Sequence, residues 1–203
     1  MNESEVIAGG EPEDFILARH VRLAGTYSEI GRELADLAWS NHHLRPEASA
    51  DPSLTRARRA WRRMHWPELE DRAAGVADRW HVTAGDDQYE TASLFVSGAG
   101  GGCSVVWLPP DRTTTGVPLL TRSFGFPAWT LNQFLGAPPR PGDRGFAARP
   151  YVFETRPSHG HATLTVTAFD LLSGAVDGIN DAGLVAALLS DDEPTTGGPA
   201  GGG

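Results

Sequence analysis

The glycine-rich stretch at residues 98–103 divides the sequence into two parts with different hydrophobic periodicity. It ends in Cys103, the only cysteine of the chain, and a β-type apolar run follows at residues 104–108. Segments before the stretch repeat apolar residues at helical spacing, whereas segments after it are short apolar runs bounded by turn residues. Helices followed by strands predict an α+β fold, with an antiparallel sheet that starts at the cysteine.

The bond between Gly102 and Cys103 is a candidate for self-cleavage. A cut there would leave Cys103 with a free α-amine beside its thiol, so that one residue would supply both nucleophile and base. Glycines tolerate strained backbone geometry and would let the thiol approach the preceding carbonyl. The alternative is structural, since a lone cysteine commonly packs as a small hydrophobe and a glycine run commonly forms a loop. The stretch by itself favours that alternative.

Composition narrows the class of protein. With 203 residues and 40% apolar content, the chain can form one domain with a sizeable core. Its net charge of -9 argues against nucleic acid as a partner. No apolar segment is long enough to cross a bilayer, and the acidic N-terminus is unlike a secretory signal. A single cysteine permits no internal disulfide, which favours a cytoplasmic location.

The periodicity divides the chain into four segments. Residues 1–14 are acidic and are predicted to be disordered. Residues 15–102 are mainly helical, with one strand at 15–25, a helix from Tyr27 capped by Ser28, and helices at 54–64 and from Pro67 to near Gly85. Residues 103–190 carry the cysteine and predict an incomplete antiparallel sheet, with strands at 104–108, 117–126, 151–155, 162–169, 175–180 and 184–190. Residues 191–203 are predicted to be a flexible tail or a point of truncation.

The helix predicted at 54–64 is strongly basic. Its arginines are Arg56, Arg58, Arg59, Arg62 and Arg63. A basic helix beside Trp61 and Trp66 could indicate nucleic-acid binding. The acidity of the whole chain and the lack of a second basic segment favour a solvated, salt-bridged helix face instead. Trp66 and Trp80 are predicted to be core residues.

Five short stretches occur in an order and at a spacing that one family shares. They are GTYSEIG at 25–31, WPEL at 66–69 with GVAD at 75–78, GCS at 102–104, LTRSFGF at 120–126 and GINDAGL at 178–184. Together they resemble the acyl-coenzyme A:6-aminopenicillanate acyltransferase-like family of N-terminal nucleophile (Ntn) cysteine hydrolases, which are related to the choloylglycine (bile salt) hydrolases. Each stretch alone is a weak signal, and the five in order are more specific.

The resemblance implies a four-layer αββα sandwich, of which this chain supplies roughly the first half, and a precursor that cleaves itself between Gly102 and Cys103. Cys103 would then attack the carbonyl of a linear amide or an acyl thioester, as a hydrolase or an acyltransferase. Arg122 corresponds to the arginine beside the nucleophile, and Ser190 falls where relatives carry an asparagine that stabilises the oxyanion. Asn180 is assigned to a turn.

The implied partner is a small acyl or amide substrate, with a coenzyme A thioester as one acyl donor, and the substrate-binding residues are not identified. No cofactor is implied. No metal site is predicted, because the pairs His42–His43 and His159–His161 lack further ligands at metal-binding spacing.

The sequence departs from the family pattern in two ways. Gly125 stands where the family has an aspartate that holds the amine of the cysteine, and Ser123 stands where it has an asparagine. The chain also stops soon after the GINDAGL stretch, which predicts an N-terminal fragment with exposed sheet surface that self-associates or pairs with a missing C-terminal half. These departures favour, as the alternative function, an inactive, uncleaved or truncated protein of the same fold that serves as a scaffold.

Overall fold

The computed structural model describes residues 4–11, 14–44, 48–49, 51–93, 102–125, 130, 133, 138–139, 145, 148–167, 171–172 and 175–189. The helices are α1 (Tyr27–His42), α2 (Pro52–His65) and α3 (Pro67–Arg79), with a short 3-10 turn at Pro110–Arg112. The strands are β1 (Ser4–Ala8), β2 (Ala18–Gly25), β3 (Gly102–Leu108), β4 (Leu119–Gly125), β5 (Tyr151–Pro157), β6 (Thr163–Thr167), β7 (Asp177–Asn180) and β8 (Val185–Ala187). The fold is α+β, as the sequence predicts.

The strands form two sheets, which differs from the single antiparallel sheet expected after Cys103. A six-stranded sheet has the order β1-β2-β5-β6-β7-β8, and β3 and β4 form a separate antiparallel hairpin. Strand β2, from the segment predicted to be mainly helical, lies inside the large sheet and pairs in parallel with β5. Its side chains alternate between the faces of the sheet, with Val21 and Leu23 buried on one face while His20 and Arg22 line the other.

The prediction of disorder over residues 1–14 is wrong for Ser4–Ala8, which forms β1 at the edge of the large sheet. Glu5 accepts from Arg22 Nη2 at 3.3 Å and lies 3.1 Å from His20 Nδ1. All five residues of β1 are exposed. An edge strand held by backbone pairing and surface charge leaves no burial pattern in the sequence, and therefore periodicity could not find it.

Helix α1 begins at a capping box built on Thr26, and the prediction of Ser28 as its cap is wrong. Thr26 Oγ1 accepts from Glu29 N at 3.2 Å, while Glu29 Oε2 accepts from Thr26 N at 2.7 Å. Two backbone donors of the first turn are thereby satisfied. The cap fixes the point where the chain leaves β2 and turns into α1.

The hydrophobic core lies between the helices and one face of the large sheet. Its buried side chains include those of Val21, Leu23, Ile30, Leu34, Val76, Tyr151 and Phe153. Gly31 of α1 and Gly75 of α3 lie at the crossing of the two helices, where a Cβ on Gly31 would overlap the carbonyl of Arg72 and one on Gly75 would overlap that of Ser28. The two backbones therefore touch, and Arg32 Nε donates to Asp78 Oδ2 at 2.7 Å across the same pair of helices.

Helix α2 differs from the predicted solvated face in one respect. Its arginines are salt-bridged as expected, but Arg59 and Arg62 are buried rather than solvated. Trp66, predicted to be in the core, is 46% exposed, whereas Trp80 packs against the core. Helix α3 ends at Arg79, short of the predicted end near Gly85.

A half-buried histidine at the end of α1 should make the fold sensitive to acid. His42 Nε2 and Asn41 Nδ2 each lie 3.0 Å from the hydroxyl of the buried Tyr151. Burial first, and then the positive charges of Arg149 and His43, lower the pKa of His42 from 6.5 to about 4. Unfolding restores the ordinary pKa, so between these two values the unfolded chain binds the extra proton and stability falls as the pH falls.

We expect this histidine to cost about 3 kcal/mol of unfolding free energy at pH 4 relative to pH 8. The measurement is urea unfolding at a series of pH values for the wild type and for His42→Gln, which can still hydrogen-bond to Tyr151 without titrating. The difference between the two curves isolates His42 from the carboxylates that titrate in both proteins. Parallel curves from pH 8 to pH 4 would contradict the assignment.

Candidate active site on the β3–β4 hairpin

Cys103 lies near the start of β3, on the half-buried face of the hairpin. In the antiparallel register Cys103 is opposite Phe124 and Val105 is opposite Arg122. Directly opposed residues share one face of a sheet, and positions two apart along a strand share it as well. Cys103, Val105, Arg122 and Phe124 therefore lie on one face, and each of them is half-buried. The structure thus brings the two principal residues of the predicted site together.

Arg122 is held by groups from the large sheet. Its Nε donates to both carboxylate oxygens of Asp177, at 2.9 and 2.8 Å, and its Nη2 donates to the backbone carbonyls of Val176 and Leu188. The side chain of Arg122 is only 8% exposed. A guanidinium with a carboxylate and two carbonyls around it has little freedom to move, so its remaining donors point in a fixed direction.

One nitrogen of this guanidinium is left unused. Nη1 is buried and has no hydrogen-bond partner in the part of the chain that the structure describes. Hydrogen bonding to Asp177 raises the pKa of Arg122, and smaller contributions from the charge of, and hydrogen bonding to, Cys103 on the same face add to that rise. A buried cationic donor without a partner is costly unless a further acceptor occupies the site. The arrangement can therefore bind an oxygen that carries negative charge beside the thiol.

Asp177 was not singled out from the sequence. It is the first residue of β7 and lies opposite Val166. Tyr151 and Phe153 are buried on the face of the large sheet that packs against α1. By alternation, Val166 and Asp177 lie on the opposite face. The only signal in the sequence is its place directly before the GINDAGL stretch. Its partner lies 55 residues away, and no local spacing predicts that contact.

The two departures from the family pattern fall at different places. Gly125 is directly opposite Gly102 in the hairpin register, so it flanks the bond that would be cut and offers no carboxylate there. Ser123 is opposite Ser104 and lies on the exposed face, away from the cysteine. Gly125 shares that exposed face, and of the two positions it is the one beside the Gly102–Cys103 bond.

The other residues named from the sequence have different surroundings. Ser190 lies outside the described residues. Asn180 lies in the β7–β8 turn, where its Oδ1 accepts from the backbone of Ala182 and Leu184 at 3.1 and 2.9 Å. Gly183, with a φ of 83°, completes that turn in a backbone region that glycine adopts without strain.

His159, His161 and a cavity between two helices have neighbours other than Cys103. His161 Nδ1 is 2.6 Å from Asp181 Oδ1, and the His159 ring packs edge-on against Tyr27. A cavity of about 310 Å³ lies between α2 and α3, lined by Arg59 and Glu70 among others, and does not border Cys103. No helix in the described part of the chain has both the length and the apolar content needed to span a membrane.

Comparison of the chain with protein-family models, with curated proteins and with solved structures gives no match. The function is therefore inferred from the geometry of the site itself.

Proposed function

We propose that this protein is an autoprocessing cysteine hydrolase or acyltransferase of the Ntn type, acting on linear amides or acyl thioesters through an acyl-Cys103 intermediate. The observation that carries the proposal is the shared position of Cys103 and the buried, unused Nη1 of Arg122 on one face of the hairpin, directly after Gly102. A thiol can serve as the nucleophile of acyl transfer, and a fixed cationic donor can stabilise the oxyanion that forms. The αββα sandwich implied by the resemblance belongs to the same proposal.

The first step is self-cleavage. The Cys103 sulfur attacks the carbonyl carbon of Gly102, the C–N bond of the peptide breaks, and the nitrogen of Cys103 takes up the thiol proton. Water then hydrolyses the thioester, which leaves a carboxylate on Gly102 and a free α-amine on Cys103. The glycine at this position suits the step because no Cβ obstructs the approach of the sulfur.

Turnover repeats the same chemistry on a substrate. The free amine of Cys103 accepts the thiol proton as the sulfur attacks the substrate carbonyl, and the oxygen gains negative charge in the tetrahedral intermediate. Nη1 of Arg122 is the donor available to that oxygen. The leaving amine or thiol departs with the proton, and water or an acceptor amine then removes the acyl group from Cys103.

A second candidate function has one specific observation in its favour. Because Gly125 is opposite Gly102, the position next to the scissile bond lacks the carboxylate that would hold a new ammonium group. An uncleaved protein of the same fold with a scaffold role is consistent with that loss. The two candidates differ in whether Cys103 ever becomes an N-terminus.

The deciding experiment detects an N-terminal cysteine. We expect the intact mass of the denatured wild type to show two chains, residues 1–102 and 103–203, and Cys103→Ala to show one uncut chain. A 2-cyanobenzothiazole probe, which condenses with a 1,2-aminothiol, should label only the shorter C-terminal product. The sequence contains no lysine, so an amine-reactive reagent provides an independent count of chain N-termini.

A single uncut chain in the wild type would exclude the mature enzyme and leave the scaffold. Gly125→Asp separates the causes of such a result. Cleavage that appears only in this variant would show that the hairpin geometry is competent and that the missing carboxylate is the defect.

A further inference from the structure

Helix α2 buries its polar face and exposes its apolar face, which is the reverse of an ordinary amphipathic helix. Its buried residues are Thr55, Arg59 and Arg62. Arg59 donates to Asp87 Oδ1 at 2.6 Å and to the Asp86 carbonyl at 3.0 Å, and Arg62 donates to Glu70 Oε2 at 3.1 Å. The helix is therefore attached to the protein by ion pairs and hydrogen bonds rather than by an apolar stripe.

The apolar residues of α2 face outward. Leu54, Ala57, Trp61 and Met64 are all exposed, with Trp61 at 56% and Met64 at 76%. Their spacing of three, four and three residues is that of the a and d positions of a heptad, the seam along which two helices pack. An amphipathic helix ordinarily turns such a seam towards its own core. Here the seam is left for another molecule.

The charged residue next to the seam is Arg58, which is positive. Arg58 and His65 occupy the position next to the seam on one side, and no ion pair of Arg58 occurs among the described residues. On the other side the flanking residues are Ser53 and Ala60, and beyond them lie Arg56 and Arg63, which pair with Asp87 and Glu70. The sequence of α2 contains no aspartate or glutamate. A partner helix that matches this surface needs carboxylates beside its own apolar seam.

We propose that the outward face of α2, formed by Leu54, Ala57, Trp61 and Met64 with Arg58 and His65, is a docking site for an acidic amphipathic helix of a partner protein. Tryptophan, methionine and arginine are the side chains enriched at the centres of protein interfaces. The seam covers about 15 Å of helix, which is about three turns of a partner helix.

The other occupants of such a surface fit less well. A second copy of α2 would place Arg58 against Arg58, His65, Ser53 or Ala60, and none of these supplies a carboxylate. An anionic membrane or a nucleic acid extends well beyond α2, so it would also face the acidic parts of a chain whose net charge is -9. An acidic helix needs only the local field of α2, which is effective within a Debye length of about 8 Å.

The test uses the full chain and a three-heptad synthetic peptide with leucine at a and d and glutamate at e and g, labelled for fluorescence anisotropy. We expect saturable binding at low ionic strength, at least about tenfold tighter than for the same peptide with lysine at e and g. Trp61→Glu and Met64→Glu should each weaken binding at least about tenfold. Trp107→Glu is the matched control, because Trp107 is an equally exposed tryptophan on β3, and it should leave binding unchanged.

Three results would overturn the proposal. One is no binding of the glutamate peptide at about 100 µM. Another is equal loss of binding in Trp61→Glu and Trp107→Glu. The third is Trp61-dependent binding to phosphatidylserine-containing vesicles without peptide binding, which would identify the face as a membrane-binding surface. None of these readouts depends on Cys103, so the docking site and the proposed enzyme can fail independently.

Discussion

Replacing Gly75 by alanine is expected to lower the free energy of unfolding by about 3 kcal/mol or more. The added Cβ would overlap the carbonyl of Ser28 in α1, and the reciprocal change at Gly31 would overlap the carbonyl of Arg72 in α3. Both obstacles are backbone atoms within helices, so no side-chain rotation relieves the contact. The helices must move apart, which loosens the core on Ile30 and Val76.

The control is the opposite substitution, alanine to glycine, at an exposed helix position where no other backbone is close. Alanine is a better helix former than glycine by about 1 kcal/mol, so Ala60→Gly at an exposed position of α2 should destabilise only by that amount. Urea unfolding followed by far-UV circular dichroism compares Gly31→Ala, Gly75→Ala and the double variant. Because the two glycines share one helix crossing, the double variant should lose less than the sum of the single losses. A stabilised Gly75→Ala would show that the helices do not touch there.

The close contact of α1 with α3 explains the residues of two stretches that resemble the family. Gly31 belongs to the GTYSEIG stretch and Gly75 to the GVAD stretch, and Arg32 and Asp78 pair across the same crossing. The residues that carry the resemblance in the first half of the chain are thus occupied with capping and with helix packing. These contacts are structural and say nothing about chemistry, which depends on the residues of the hairpin and β7.

The spacing of apolar residues was sufficient to predict the helices and strands that bury one face. The spacing of Ile30, Leu34 and Ala38 predicts α1, and all three are buried. The hairpin was predicted from two apolar runs around a proline-containing turn, and β3 and β4 pair along their whole length. In these cases the periodicity that defines the element is the same periodicity that buries it.

Two kinds of feature could not be predicted from the sequence. One is contact between segments that are distant in the chain, and the other is burial of residues that are usually exposed. The parallel pairing of β2 with β5 joins residues more than a hundred positions apart. The inward turn of Arg59 and Arg62 depends on Asp87 and Glu70, which lie on other segments. At the candidate site, Cys103 and Arg122 were predicted to be neighbours from the resemblance. The ion pair by which Asp177 holds Arg122, called here the Asp177 clamp, is visible only in the three-dimensional structure.

Removing the carboxylate of Asp177 is expected to destabilise the protein by about 3 kcal/mol, because Arg122 would remain buried without a counter-charge. Asp177 also carries the link between the two sheets, since Arg122 belongs to β4 and Asp177 to β7. Asp177→Asn keeps the size of the side chain and one acceptor, and we expect it to lose less than Asp177→Ala. The measurement is urea unfolding of both variants. Arg112→Ala is a control that should change little, because Arg112 is exposed and its one ion pair among the described residues is with its neighbour Asp111.

A double-mutant cycle separates this clamp from simple loss of packing. Arg122→Met combined with Asp177→Leu removes both charges and retains volume, and it should recover most of the stability lost in Asp177→Ala. The same variants distinguish a structural role of the clamp from a catalytic one. If Nη1 of Arg122 acts on the carbonyl oxygen, Arg122→Met should form the N-terminal Cys103 at least a hundredfold more slowly even where the double variant is stable. Normal cleavage in a stable double variant would leave Arg122 as a link between the sheets and would remove it from the chemistry of Cys103.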